Sequence, residues 1–224
     1  IESPKYIESA RTSGYTFRST DIGVVLDLMI HDIDLILSVV KDEVTAVQAL
    51  GISVFGGHED VAQARIQFNC GGVANLTASR CSFDAQRNMQ IFGTEGFAAV
   101  DLNSHTVKSI RFPDWLKQQQ FDFQTATPQQ REFVKAKLFE QILPLSETVP
   151  PKTNAILAEQ REWVECIQSG KPMRNTAGNA AEAVRIAGQV LEQIEHHRWN
   201  RPEVASEFAV ADSMAMPAGM AMPI

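Results

Sequence analysis

The hydrophobic pattern changes its period along the chain, and each change marks an element. "SPKYIESARTS" opens with Pro4 near its start and reads as an edge-type strand. The next stretch, Ile22 to Val40, is almost wholly apolar and free of Pro, with Asp21 in place to cap a helix. From Val44 to about Ile110 the period falls to two. "VTAVQALGISVF" is rich in β-branched residues. "DVAQARIQFN" sets Ala62, Ala64, Ile66 and Phe68 on one face and Gln63, Arg65 and Gln67 on the other. "GGVANLTASRCSF" follows a Gly-Gly turn and reads as its hairpin partner. "NMQIFG", "GFAAVDL" and "TVKSIRF" predict three shorter strands, and "FVKAKLFEQIL", which fits both periods, is read as a strand. From Asn154 the period becomes helical. "NAILAEQREWVECIQSG" carries an apolar stripe through Ile156, Leu157, Trp163, Val164 and Ile167. "TAGNAAEAVRIAGQVLEQIEHH" carries one through Ala183, Ile186, Ala187, Val190, Leu191 and Ile194.

The order is strand, helix, many mostly antiparallel strands, then two helices. This predicts an α+β domain over residues 1–200: a large open, mostly antiparallel sheet with helices packed on one face. Residues 201–224 form a Met-, Ala- and Pro-rich tail, read either as a loosely ordered terminus or as an arm packing on a neighbouring subunit. No G-x-G-x-x-G follows a strand, so no dinucleotide site is expected within this chain.

Charge and cysteines narrow the function classes. A net charge of −7 without any basic run argues against nucleic acid as the partner. Three cysteines without a CxxC fit free thiols and a cytoplasmic protein better than a disulfide framework. The first residues are no signal peptide and lack an initiator Met, so the chain is expected to begin inside a longer protein. The apolar run of residues 22–40 holds too many ionisable groups for a single membrane span.

Those ionisable groups are the candidate chemistry. On a helical wheel with Asp27 at zero, His31 falls at about 40°, Asp34 at about 340° and Ser38 at about 20°, while Asp32 lies at about 140°. Asp27, His31, Asp34 and Ser38 thus form one narrow polar stripe on an apolar cylinder. A carboxylate four residues from an imidazole can orient it, and the pair suits proton removal from a hydroxyl. A satisfied core network and a metal site are the two other readings. His58, His105, His196 and His197 give no ligand spacing that would complete a metal site, so none is assigned.

"VVLDLMIHDIDLIL" resembles the D-x-x-x-H helix that opens the C-terminal domain of the Gfo/Idh/MocA oxidoreductases, the glucose–fructose oxidoreductase and inositol dehydrogenase group. "MQIFGTEGFAAVDL" is similar to that family's strand–turn–strand with a G-T-x-G turn. "NAILAEQREWVECIQSGKPMRNTAGNAAEAVRIAGQVLEQI" looks like its closing helix pair, and together the three span roughly Pro4 to Ile194. The resemblance implies a parent enzyme with a Rossmann domain, absent here, that binds NAD or NADP and carries the glycine-rich loop and the E-K-P lysine. It implies hydride transfer between nicotinamide and a secondary hydroxyl of a sugar, cyclitol or nucleotide sugar. His31 would be the acid/base, Asp27 its orienting or substrate-holding partner, and Asp34, Arg18 and Tyr15 candidate substrate contacts. The open sheet face would form a homodimer or homotetramer. This chain alone would be inactive and would bind no cofactor. The alternative is a non-enzymatic sugar-binding or sheet-mediated oligomerisation module.

Overall fold

Eight strands make one sheet in the computed structural model, which describes residues 1, 3–16, 21–55, 57–118, 122, 124–151, 153–197 and 199. They are β1 (Pro4–Thr12), β2 (Val44–Ile52), β3 (Val61–Phe68), β4 (Val73–Ser79), β5 (Gln86–Gly93), β6 (Gly96–Asp101), β7 (Thr106–Arg111) and β8 (Leu145–Thr148). Their order across the sheet is β2-β3-β4-β1-β5-β6-β7-β8. The pair β1·β4 is parallel and the other pairs are antiparallel. Turn chemistry fixes the hairpins. Gly71, with φ of +77°, closes β3 onto β4. A Cβ at Gly96 would run into the Ile110 carbonyl of β7, so only glycine lets β6 lie that close.

The helices are α1 (Ile30–Val40), α2 (Asp114–Lys117), α3 (Pro128–Lys137), α4 (Ala155–Ser169) and α5 (Ala177–His196), with π-helical turns at Val25–Met29 and Leu138–Ile142. The core lies between α1, α5 and the half of the sheet holding β1 to β4. Ile33 and Ile36 of α1 and Ile186 and Val190 of α5 bury against Ile7, Ile66, Phe68 and Leu76. The alternation in β3 behaves as expected: Ala62, Ala64, Ile66 and Phe68 are buried, while Gln63 and Arg65 are exposed. No helix among the described residues is long and apolar enough to cross a membrane.

Three expectations need correction. β1 is no edge strand: it pairs with β4 on one side and β5 on the other. Pro4 does not prevent this, because at the first position of a strand its missing N–H costs at most one ladder bond. "FVKAKLFEQIL" is helical, lying in α3 and the π turn after it. Thr127 begins α3 with a reciprocal capping box to Gln130, and Pro128 has the fixed φ a first turn favours. Finally, α4 is a helix with an Asn154 cap, but its apolar stripe stays largely exposed. Ile156, Trp163 and Ile167 on its apolar stripe are 68%, 56% and 65% exposed. The tail 201–224 lies outside the described residues.

Candidate functional site

The candidate helix begins differently from its sequence expectation. Asp21 does not cap it; the Glu59 carboxylate, from the loop before β3, accepts from the Val25 N–H at 3.0 Å. The Val24 N–H donates to the Glu59 carbonyl at 3.0 Å. Gly23 makes room for this, since a Cβ there would overlap the Glu59 carboxylate. A negative group at the positive end of a helix is favourable as well.

Below that cap sits a buried ion pair. Asp60 is fully buried: its Oδ2 accepts from the Val54 and Phe55 N–H groups, and its Oδ1 from Arg80 Nε at 2.6 Å. Arg80 Nη1 also donates to the Ile22 carbonyl at 2.9 Å, just before the helix. Burial pushes the Asp60 pKa up, but the N–H of Phe55, the Arg80 side chain and the N–H of Val54 outweigh it, and the carboxyl is held below its ordinary range. These bonds tie the loops before β3 and after β4 to the entry of the helix.

The helix then runs through a π turn at Val25–Met29, where the Ile30 N–H reaches back to the Val25 carbonyl. Such turns recur at functional sites, and this one holds Asp27. It also spoils the regular wheel, so Asp27 and His31 are not simple α-helical neighbours. Among the described residues no hydrogen bond joins them. Asp27 is half-buried and His31 exposed, on a side of the helix that also exposes Leu26 and Leu35. The opposite side is dry: Val25, Met29, Ile33 and Ile36 are 0% exposed.

The remaining predicted residues divide. Ser38 is exposed and turns its hydroxyl back to the Leu35 carbonyl. Asp34 is half-buried and lines a concavity between α1 and α5 with Lys41, Arg174 and Glu182. Tyr15 meets Phe55 at a tilt, with ring centroids 4.3 Å apart, and the Arg80 guanidinium lies 5.5 Å from its ring centre. Arg18 lies outside the described residues. The helical stripe leaves out Asp32, which is 2% exposed and meets Arg11 of β1 through two hydrogen bonds of 2.6 and 3.0 Å. The signal was present in the sequence: an acid on the buried side of an apolar helix demands a cation, and Arg11 stands on the preceding strand.

Among the described residues, no three His, Cys, Asp or Glu side chains converge to hold a metal ion. The described glycines of positive φ are Gly57, Gly71, Gly96 and Gly170, in loops, hairpins or a helix C-cap, not between a strand and a helix N-terminus.

A family profile described as the GFO/IDH/MocA C-terminal domain matches residues 4–99, which include β1, the π turn and α1. In three dimensions, UDP-N-acetylglucosamine 3-dehydrogenase from Acidithiobacillus ferrooxidans superposes with a TM-score of 0.72 at 27% identity, over 87% of this chain and 56% of that one. Over residues 4–99 the chain is thus similar to the GFO/IDH/MocA C-terminal domain. In sequence, the domain is 40% identical to the UDP-N-acetylglucosamine 3-dehydrogenase of the same organism over 105 residues, which is 47% of this chain and 34% of that protein. It is 29% identical over 120 residues to the uncharacterized oxidoreductase YrbE of Bacillus subtilis, covering 50% of this chain and 33% of that protein. An Agrobacterium radiobacter oxidoreductase in complex with NAD+, L-tartaric acid and magnesium shares the fold at 15% identity, with a TM-score of 0.63 over 88% of this chain and 56% of that one. The chain thus spans about a third of its curated relatives in sequence and about half of the solved ones.

Proposed function

We propose that this domain is the substrate half of an NAD(P)-dependent oxidoreductase acting on a secondary hydroxyl of a sugar-type substrate, with a nucleotide sugar favoured. The observation that carries the reading is the placement of His31. A helix that is dry on one side turns the His31 imidazole to its open side, four residues after a half-buried carboxylate. In this reading His31 accepts the hydroxyl proton as the carbonyl forms, and Asp27 holds the substrate or the imidazole in line. The redox half of the reaction belongs to a nicotinamide nucleotide that these residues do not hold. Asp34, Tyr15 and Arg18 stay candidates for substrate contact. The 40% identity to a UDP-N-acetylglucosamine 3-dehydrogenase supports the choice of a nucleotide sugar.

Assembly through the open sheet face, as a dimer or tetramer, belongs to the same proposal. That face carries a row of Tyr6, Phe92 and Phe97, neighbouring rings 5.9 Å apart, beside a polar ladder in which Arg65, Asn75, Tyr6 and Glu8 are joined by hydrogen bonds. A non-enzymatic module built on this face is the rival reading. The test is turnover of the full-length protein with UDP-N-acetylglucosamine and NAD or NADP, followed by nicotinamide absorbance. Reduction of the cofactor is the expected result. Stable binding of the sugar nucleotide with neither cofactor reduced would favour the rival.

A further inference from the structure

We propose that the Arg11–Asp32 pair is a positioning device for His31, setting the rotation of α1 about its own axis; this rests on the function proposed above. Asp32 follows His31 by one residue, and successive helical side chains diverge by about 100°. Fixing the direction of Asp32 therefore fixes that of His31. The fixture is strong in direction. Arg11 Nε donates to Oδ2 at 3.0 Å and Nη2 to Oδ1 at 2.6 Å, a two-pronged contact between planar groups. Both side chains are nearly dry, at 11% and 3% exposure. Their anchor is a central strand, hydrogen-bonded on both sides.

The neighbours of Asp32 on the buried side cannot supply this. Met29, Ile33 and Ile36 hold the helix down, but burial of apolar surface is non-directional and tolerates a small roll. Nor does stability alone explain an ion pair there, because well-packed apolar residues of similar volume usually serve as well or better. What the pair adds is angle. The competing explanation is charge balance, since Arg87 of β5 stands directly across from Arg11. Arg11→Lys separates the two, because it keeps the charge and a point contact but loses the planar fork.

The experiment uses the full-length protein with UDP-N-acetylglucosamine and NAD. The variants are Arg11→Lys and the apolar double replacement Arg11→Met with Asp32→Leu, each also combined with His31→Ala. The expected result is a fall in kcat of about 10²-fold in folded protein, the scale of a misplaced catalytic group, with cofactor KM and melting temperature little changed. In the His31→Ala background the same replacements should cost nothing further, because the pair acts through His31. Should the double replacement fail to fold, Arg11→Lys carries the test. A folded Arg11→Lys protein with kcat within twofold of the starting protein overturns the proposal. So does an equal fractional loss with and without His31. A His31→Ala protein of normal turnover is a different failure: it removes the proposed function, and this proposal with it.

Discussion

The two halves of the sheet show the same alternation but reach different ends. Under β1 to β4 the inward residues meet α1 and α5, and Ile7, Ile66, Leu76, Ile33, Ile36, Ile186 and Val190 are sealed at 0–1% exposure. In β5 to β8 and the described residues between β7 and α5, the buried apolar residues are Met89, Ile110 and Ala126. Phe133, Phe139, Trp163 and Ile167 in that half stay more than half exposed. Alternation makes a strand, but only an opposing apolar surface makes a core. Asp27 and His31 stand on the sealed half, where their supports are buried ion pairs and a carboxylate cap.

The comparison breaks most visibly at Asp60. Replacing Arg80 by Ala leaves a fully buried carboxylate without its cation and should destabilise the domain by about 3–5 kcal/mol, read from the urea midpoint. The same pair has a pH signature. The Asp60 carboxyl is held below its ordinary value of 3.8, so its contribution is present above that value and fades as pH falls through the lower folded value. The stability difference between the starting protein and Arg80→Ala should therefore shrink in acid, as the pH falls toward the lowered folded value. A smaller effect is expected at the helix entry. Gly23→Ala displaces the Glu59 carboxylate from the Val25 N–H and should cost about 1 kcal/mol, the usual value of a lost cap, measured by thermal unfolding. The smallest lies in the other half. Ile167→Ser on α4 should change the stability of this chain by less than about 0.5 kcal/mol, because its side chain is already 65% exposed. A cost of several kcal/mol there would show that α4 is packed after all.

How much was legible follows from the range of each interaction. β3 and β4 were readable because alternation and a Gly-Gly turn are local. The type of α4 and α5 was readable from their apolar stripes, but not where α4 would lie, since its stripe stays largely exposed. The helix over 128–137 is signalled by the capping box of Thr127, Pro128 and Gln130, whereas the apolar period of "FVKAKLFEQIL" fits a strand as well as a helix. The central place of β1 depends on pairing with β4 and β5, which no local pattern states. At the site, Asp27 and His31 stood out as ionisable groups in an apolar run. Their supports did not, because Glu59 acts on Val25 from 34 residues away and Arg11 on Asp32 from 21.

His31→Ala in the full-length protein tests the central claim most directly. The imidazole is exposed and no hydrogen bond among the described residues holds it, so its removal should leave the unfolding midpoint unchanged. Turnover of the sugar nucleotide should fall by about 10²–10⁴-fold, the usual cost of deleting a general base. A folded His31→Ala protein that turns over at near its original rate would contradict the account.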